Sequence, residues 1–278
     1  MNQRVLLIIG VVVAVVLLGF IAVKNKGIEM PKFKGPSNAT AAASGGNAAE
    51  LFEQAAQLEA QGEKLKAKDL YQKIMMEHPD FDKIEEVQNQ SNNLNLSIIT
   101  SNIQTPDTVI HEVKVGDSLG KLSKQYNTTV ELIKKNNNLK NDIIRVGQRL
   151  RIWTKPFSVL VNKSQNILIL KAGDEVVKIY HVSTGTNNST PVGTFKITTK
   201  LVDPVWFKSG AVIPPESPEN VLGSRWMGFD LSGYGIHGTT MPQSIGQQVT
   251  AGCVRMLNRE VEELYDLLPV GTEVTIVD

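Results

Sequence analysis

Five stretches of different hydrophobic period follow one another along the chain. Residues 5–23 read VLLIIGVVVAVVLLGFIAV, nineteen residues without a charge. At 1.5 Å of rise each they match the thickness of a bilayer's hydrocarbon core and predict a single transmembrane helix after a short tail, residues 1–4, which the resemblances below imply to be cytoplasmic. A secretory signal peptide has a shorter apolar run and a small-residue cleavage site soon after it, so an uncleaved anchor is the expectation. Residues 24–47 end in PSNATAAASGGNAA, small and polar residues that predict a flexible linker. Over residues 48–107 the apolar positions Leu51, Ala55 and Leu58, then Leu65, Leu70 and Ile74, fall at helical spacing. In residues 108–153, VIHEVKV alternates as a strand does, GDSLGKLSKQY and TTVELIKKN each open on an N-cap signal and continue at helical period, and QRLRIW alternates again. The prediction there is a strand, two helices and a strand. From residue 154 to 278 short β runs dominate (FSVLVN, NILILK, VVKIYHVST, TFKITT, TEVTIVD), separated by Gly, Pro and Asn turns. One helix is predicted over residues 259–268, stopped by Pro269 and Gly271. The fold class expected is a multidomain chain with a mainly-β C-terminal domain.

Composition narrows the function. With 41% hydrophobic residues the chain can fill a core, and 29 basic against 28 acidic residues leave a net charge of +1, which gives no global attraction to a nucleic acid. The balance is local: residues 48–107 carry a net charge of −6 and residues 108–153 one of +5. That contrast reads first as solvated surface and second as a basic module facing an anionic polymer. Around the apolar run, Arg4 precedes it while Lys24, Lys26, Lys32 and Lys34 follow it. The positive-inside rule alone therefore opposes an exported C-terminus. A single cysteine excludes an internal disulfide and a cysteine-rich zinc site. His78, His111 and His181 stand without metal-ligand spacing, so neither metal nor cofactor is expected. Trp206 and Trp226 suit a groove wall or, more commonly, a β-domain core.

Cys253 lies in TAGCVRM, and His237 lies sixteen residues upstream in YGIHGT. A thiol near its ordinary pKa of about 8.5 is mostly protonated at neutral pH, so a cysteine nucleophile needs a base such as imidazole. Gly235, Gly238 and Gly252 flank the pair and let backbone come close, with amide N–H groups free to meet an oxyanion. An arbitrary lone Cys and His are more often core residues. Here IHGTTMPQSIGQQVTAGCVRM, together with VSTGTNNSTPVGTFKI, resembles the signature of the YkuD-type L,D-transpeptidase catalytic domain over roughly residues 157–278. The resemblance implies Cys253 as nucleophile, His237 as general base, Gly252 and Cys253 as main-chain oxyanion donors, and Arg255 as a cation near substrate carboxylates. It also implies Tyr234, Gly238, Thr239 and Thr250 as substrate-binding positions. One departure is Ala251, where many members have a second histidine.

HEVKVGDSLGKLSKQYNTTVELIKKNNNLKNDIIRVGQRLRIW resembles a LysM module of βααβ form. That implies glycan binding between the loop after the first strand (Gly116, Asp117, Ser118) and the loop after the second helix (Ile143, Ile144). Gly62, Ala67, Tyr71, Ile74 and Pro79 resemble one tetratricopeptide (TPR) repeat. A single copy serves equally well as a short helical spacer.

Together these resemblances imply a bacterial peptidoglycan L,D-transpeptidase. It would be anchored in the cytoplasmic membrane by one helix, with its catalytic domain on the exported side, and its partners would be glycan strands and stem peptides. An L,D-carboxypeptidase or a lipoprotein-to-wall ligase of the same family, or a non-catalytic wall anchor, are the alternatives.

Overall fold

The computed structural model describes residues 41–278 apart from Ser209. The predicted anchor, residues 5–23, and most of the predicted linker lie outside the described residues. Among the described residues no helix is long and apolar enough to cross a membrane. The chain divides into two compact units that meet at Asn95 and Leu96.

The first unit is helical. Helix α1 (Ala41–Ala60) begins seven residues earlier than the predicted linker boundary allowed, so residues 41–47 belong to the helix. Alanine is the strongest helix former, and the run at 41–43 together with Ala48 offsets the glycines at 45 and 46. Gly62, at φ +81°, makes the turn into α2 (Lys64–Glu77). Ala67, Tyr71 and Ile74 face inward from α2, and Phe52 of α1 packs on Tyr71 and Phe81 with ring centroids 6.1 and 6.2 Å away. Helix α3 (Ile84–Ile99) follows.

The second unit holds the βααβ module and the β domain around a shared core. In the module β1 (Thr108–Glu112) pairs antiparallel with β2 (Arg149–Trp153), and α4 (Leu119–Gln125) and α5 (Val130–Asn136) cover one face. Ser118 caps α4 and Thr129 caps α5, each accepting the N–H three residues on, as the sequence predicts. Val113, Leu119, Leu122, Ile133, Leu150 and Ile152 form the module's core.

The β domain is an eight-stranded sheet in the order β13-β11-β10-β7-β14-β3-β4-β5. Its strands are β3 (Phe157–Asn162), β4 (Ile167–Ala172), β5 (Glu175–His181), β7 (Gly193–Val202), β10 (Arg225–Phe229), β11 (Gly235–His237), β13 (Val254–Arg255) and β14 (Glu273–Val277). Strand β14 inserts between β3 and β7, parallel to the first and antiparallel to the second. Short strands β6 (Thr184–Gly185) and β12 (Gln248–Thr250) pair in parallel beside the sheet, and β8 (Trp206–Lys208) and β9 (Ala211–Ile213) form a separate ribbon. Helix α6 (Asn258–Leu267) buries Val261, Leu264 and Leu267 on the sheet and starts one residue before the predicted helix.

The module is fixed to the β domain. Leu132 of α5 and Trp153 of β2 lie in the same apolar cluster as Phe157, Val161 and Leu264. The Thr129 hydroxyl donates to the Asp266 carbonyl, and Lys135 pairs with the Asp266 carboxylate at 2.7 Å. Arg151, buried, donates from its guanidinium to the Ser101 carbonyl at 2.6 Å, just past the end of α3, where a cation is favoured.

Candidate active site

Parallel pairing of β11 with β13 brings the predicted pair together. The register sets Ile236 opposite Val254 and His237 opposite Arg255, so Cys253, one step before β13, falls level with Gly235. Side chains two apart on one strand share a face, which places Cys253, Arg255 and His237 on one side of the ribbon. The thiol's hydrogen bond runs to the Gly233 carbonyl, 3.4 Å from Sγ, and a backbone hydrogen bond from Gly235 also reaches the sulfur. Sulfur and imidazole are thus diagonal neighbours, and the thiol proton rests on backbone. Such contacts are often long in an unliganded site.

His237 is 3% exposed. Its Nδ1 donates to the Gly238 carbonyl at 2.6 Å, which leaves Nε2 as the nitrogen able to accept a proton. Burial and the facing Arg255 push the ring's pKa down to about 4, against carbonyls of Gly238 and Leu222 that favour its charged form. The ring is therefore neutral at pH 7. Burial pushes the Cys253 thiol up, and the Gly235 hydrogen bond and the Arg255 charge oppose that shift. The resting pair is thiol and neutral imidazole.

The loop that carries the thiol owes its shape to glycine. Gly252 has φ +132°, and a Cβ there would stand 2.7 Å from Tyr234 Cε1. Gly185 of β6 approaches so closely that its Cβ would lie 2.9 Å from the Gly252 Cα. Only glycine tolerates both the backbone angle and the contact. Thr250, predicted to touch substrate, is buried and works inward: its hydroxyl donates to the Cys253 carbonyl at 2.7 Å and accepts the Gly252 N–H at 3.2 Å. The expectation that Gly252 and Cys253 both offer N–H groups to an oxyanion is thereby corrected, because the Gly252 N–H is already engaged. The Cys253 N–H has no such partner among the described residues.

The other predicted positions divide in the same way. Tyr234 is half-buried and lays its ring along Gly252. Gly238 and Thr239 belong to the frame: Asn258, at the start of α6, accepts the Thr239 N–H at 2.9 Å and the Ser224 N–H at 3.2 Å. A Cβ at Gly238 would stand 2.2 Å from Asn258 Oδ1. Arg255 is buried, donates to Ser244 Oγ at 3.0 Å, and has an unpartnered Nε. Asn258 and Ser244 escaped sequence reasoning, since neither an asparagine opening a helix nor a serine in a turn stands out before the loops are placed.

In the βααβ module, Asp117 and Ser118 are both engaged by neighbouring groups of the chain. The Asp117 carboxylate accepts from the Lys114 N–H at 2.8 Å and meets His111 Nε2 at 2.9 Å. That backbone hydrogen bond, with the His111 contact, holds the Asp117 carboxyl below its ordinary pKa. Ser118 caps α4. Gly116 turns with φ +86°, Ile144 packs against the module's core, and Ile143 stands 71% exposed.

Comparison with known proteins gives the family of each domain. The L,D-transpeptidase catalytic domain of the YkuD family matches residues 156–276, and the LysM domain matches residues 111–153. YqjB of Bacillus subtilis, which bears the name L,D-transpeptidase, is 44% identical over 126 residues, 43% of this chain and 70% of its own length. YkuD of the same organism, also so named, is 31% identical over 174 residues, 60% of this chain and 97% of its own length. A crystal structure of an L,D-transpeptidase from Mycobacterium tuberculosis superposes with a TM-score of 0.39 at 18% identity, covering 48% of this chain and 63% of that one.

Proposed function

The chain belongs to the L,D-transpeptidase family and is an acyltransferase of that class with a LysM domain, and from that premise we propose that it crosslinks peptidoglycan through Cys253. In the first half-reaction the His237 Nε2 takes the proton from Sγ, and the sulfur attacks the carbonyl between the L-centre of a stem tetrapeptide, commonly diaminopimelate, and its terminal D-alanine. The Cys253 N–H meets the developing oxyanion. The same imidazole returns the proton to the leaving D-alanine amine, and a thioester remains. In the second half an amine of another stem attacks the thioester, gives its proton to His237, and the thiolate leaves and recovers it.

The observation that carries this reading is the β11–β13 register, which sets the thiol, a neutral imidazole and a buried guanidinium on one face. Arg255 with its unpartnered Nε is the cation we assign to the substrate's carboxylate side, and Tyr234 flanks the nucleophile loop as a substrate contact. Gly252 and Thr250 hold that loop in shape, and Gly238 and Thr239 pack on Asn258 at the start of α6.

We assign glycan binding to the LysM loops at Gly116 and Ile143, with Asp117, Ser118 and Ile144 shaping them. The helical unit serves as a spacer whose Gly62, Ala67, Tyr71 and Ile74 keep a repeat-like hairpin. Residues 5–23 act as the anchor, with the short N-terminus inside despite the lysines that follow it. The catalytic domain then works on the exported face of a bacterial cytoplasmic membrane.

Intact mass spectrometry tests the catalytic reading. A tetrapeptide donor or a carbapenem should add one acyl group to the wild type and none to Cys253→Ala; an unlabelled wild type would overturn it. Product analysis with a second stem separates crosslinking from simple release of D-alanine to water.

A further inference from the structure

Trp226 stands directly opposite His237 in the antiparallel pairing of β10 with β11. Their rings stack with centroids 6.1 Å apart and planes at 22°, within the range of offset aromatic attraction. The indole reaches this position because two glycines make room for it. A Cβ on Gly228 would stand 2.8 Å from the indole Nε1, and one on Gly235 would stand 3.0 Å from Cζ2. A larger residue at either place would crowd the indole, and also Thr199 Oγ1, 2.4 Å from a Cβ on Gly228, and the Met227 carbonyl, 2.5 Å from one on Gly235. Trp226 is half-buried, while the imidazole beside it is almost fully so.

The other neighbours of the imidazole are accounted for. Arg255 on β13 is the charged group that faces it, and the same guanidinium also acts on the Cys253 thiol. The Gly238 carbonyl accepts from Nδ1, and the Leu222 carbonyl also favours the ring's charged form. Imidazole is therefore bracketed, with indole on the strand to one side and guanidinium on the strand to the other.

We propose that Trp226 is a positioning residue for His237: its indole covers one flank of the imidazole, fixes the ring plane and keeps water from it. The inference rests on the reading of His237 as the base that relays the Cys253 proton. Before reaction the covered ring stays neutral and able to accept. No proton is gained or lost by Trp226 itself.

The test compares wild type, Trp226→Leu and Trp226→Phe in the rate of Cys253 acylation by a carbapenem from pH 8 to pH 5. With the flank opened, the imidazole titrates nearer its ordinary value, so the ratio of the Leu variant's rate to the wild-type rate should fall about tenfold across that range. Trp226→Phe, which keeps an aromatic flank, should hold its ratio constant. A merely structural tryptophan would lower the rate equally at every pH, and a pH-independent ratio overturns the proposal. A second arm needs no destabilised variant. The Trp226 indole N–H resonance, assigned by its loss in Trp226→Phe, should shift as the wild type is acidified through about pH 4 and should stand still in His237→Gln. A motionless wild-type signal also overturns the proposal. A wild type that no carbapenem acylates defeats the catalytic reading instead, and the resonance still decides the role of Trp226.

Discussion

The β domain and the LysM module each carry a site suggested by sequence resemblance, and they treat their polar side chains differently. Around Cys253 the groups proposed to react are set on one face: sulfur, imidazole and guanidinium lie on one side of the β11–β13 pair, and Thr250, Asn258 and Ser244 hold loops around them. In the LysM loops nothing converges. Asp117 accepts from the Lys114 N–H and meets His111, Ser118 accepts from the Lys121 N–H of α4, and Val115, Ile143 and Val146 are left exposed beside them. Acyl transfer requires particular atoms at particular distances, whereas a shallow glycan groove requires mainly shape and exposed main chain. A sequence pattern alone does not distinguish a polar residue that binds from one that shapes the binder.

The largest effect should fall on the convergent site. Cys253→Ala removes the nucleophile, so acylation by a donor peptide should drop below detection while binding to isolated walls persists. His237→Gln keeps a hydrogen-bonding side chain and loses the base; its acylation rate should fall by about 10²–10⁴-fold, the range for general base catalysis. If His237→Gln retained near wild-type rates across the pH range, convergence would be only apparent and some other group would take the proton.

Next comes the glycine frame. Gly252→Ala must fit a Cβ 2.7 Å from Tyr234 Cε1 at φ +132°. The backbone strain alone is of order 1–3 kcal/mol, and displacing the thiol by even an ångström should cost about 10²-fold in acylation. Gly62→Ala is the control. It also sits at positive φ, but open space surrounds it, so it should lower helical-unit stability modestly and leave acylation untouched.

How far this arrangement could be read beforehand depended on whether a residue's role was local. Thr129 and Ser118 were recognisable as N-caps because a cap is satisfied within three residues. The β runs at 157–162 and 273–277 were recognisable as short β-rich stretches between turn residues, although nothing local revealed that β14 inserts between β3 and β7. Asn258 could not be found because its two partners, Thr239 and Ser224, lie 19 and 34 residues away and meet it only after the sheet has formed. Trp226 was visible as an aromatic residue, and only the register showed its ring lying on His237. The seven residues of α1 assigned to the linker were misread because glycine and serine at 44–46 outweighed the alanines around them.

A third prediction uses the buried imidazole itself. Its folded-state pKa of about 4 lies below the 6.5 of an exposed histidine. Above pH 6.5 both states are neutral and the ring contributes no pH dependence. As the pH falls the unfolded chain takes up the proton and the folded one refuses it, so stability is lost from about pH 6.5 down to about 4. One pKa unit corresponds to about 1.4 kcal/mol, so about 2 kcal/mol should be gone by pH 5. Urea unfolding of the wild type at pH 7 and pH 5 measures that loss, and His237→Gln should recover most of it. An equal loss in both proteins would mean that the ring is wetter than its burial indicates.

The smallest effects belong to the LysM loops, and they bear most directly on the contrast. Ile143 is exposed and touches no core, so Ile143→Ser should leave the unfolding midpoint unchanged. It should weaken binding to chitin oligosaccharides several-fold, since it removes about 1 kcal/mol or somewhat more of apolar contact. Asp117→Ala should do the reverse. It frees the Lys114 N–H and the His111 Nε2, so it should lower the unfolding midpoint. The remaining affinity should track the folded fraction rather than fall on its own. The two variants together form a crossed test, with calorimetric unfolding and oligosaccharide titration as the readouts. If Asp117→Ala abolished binding while the module stayed as stable as wild type, the carboxylate would be a ligand to the glycan. The LysM loops would then work as the Cys253 site does, by placing charged atoms on their target.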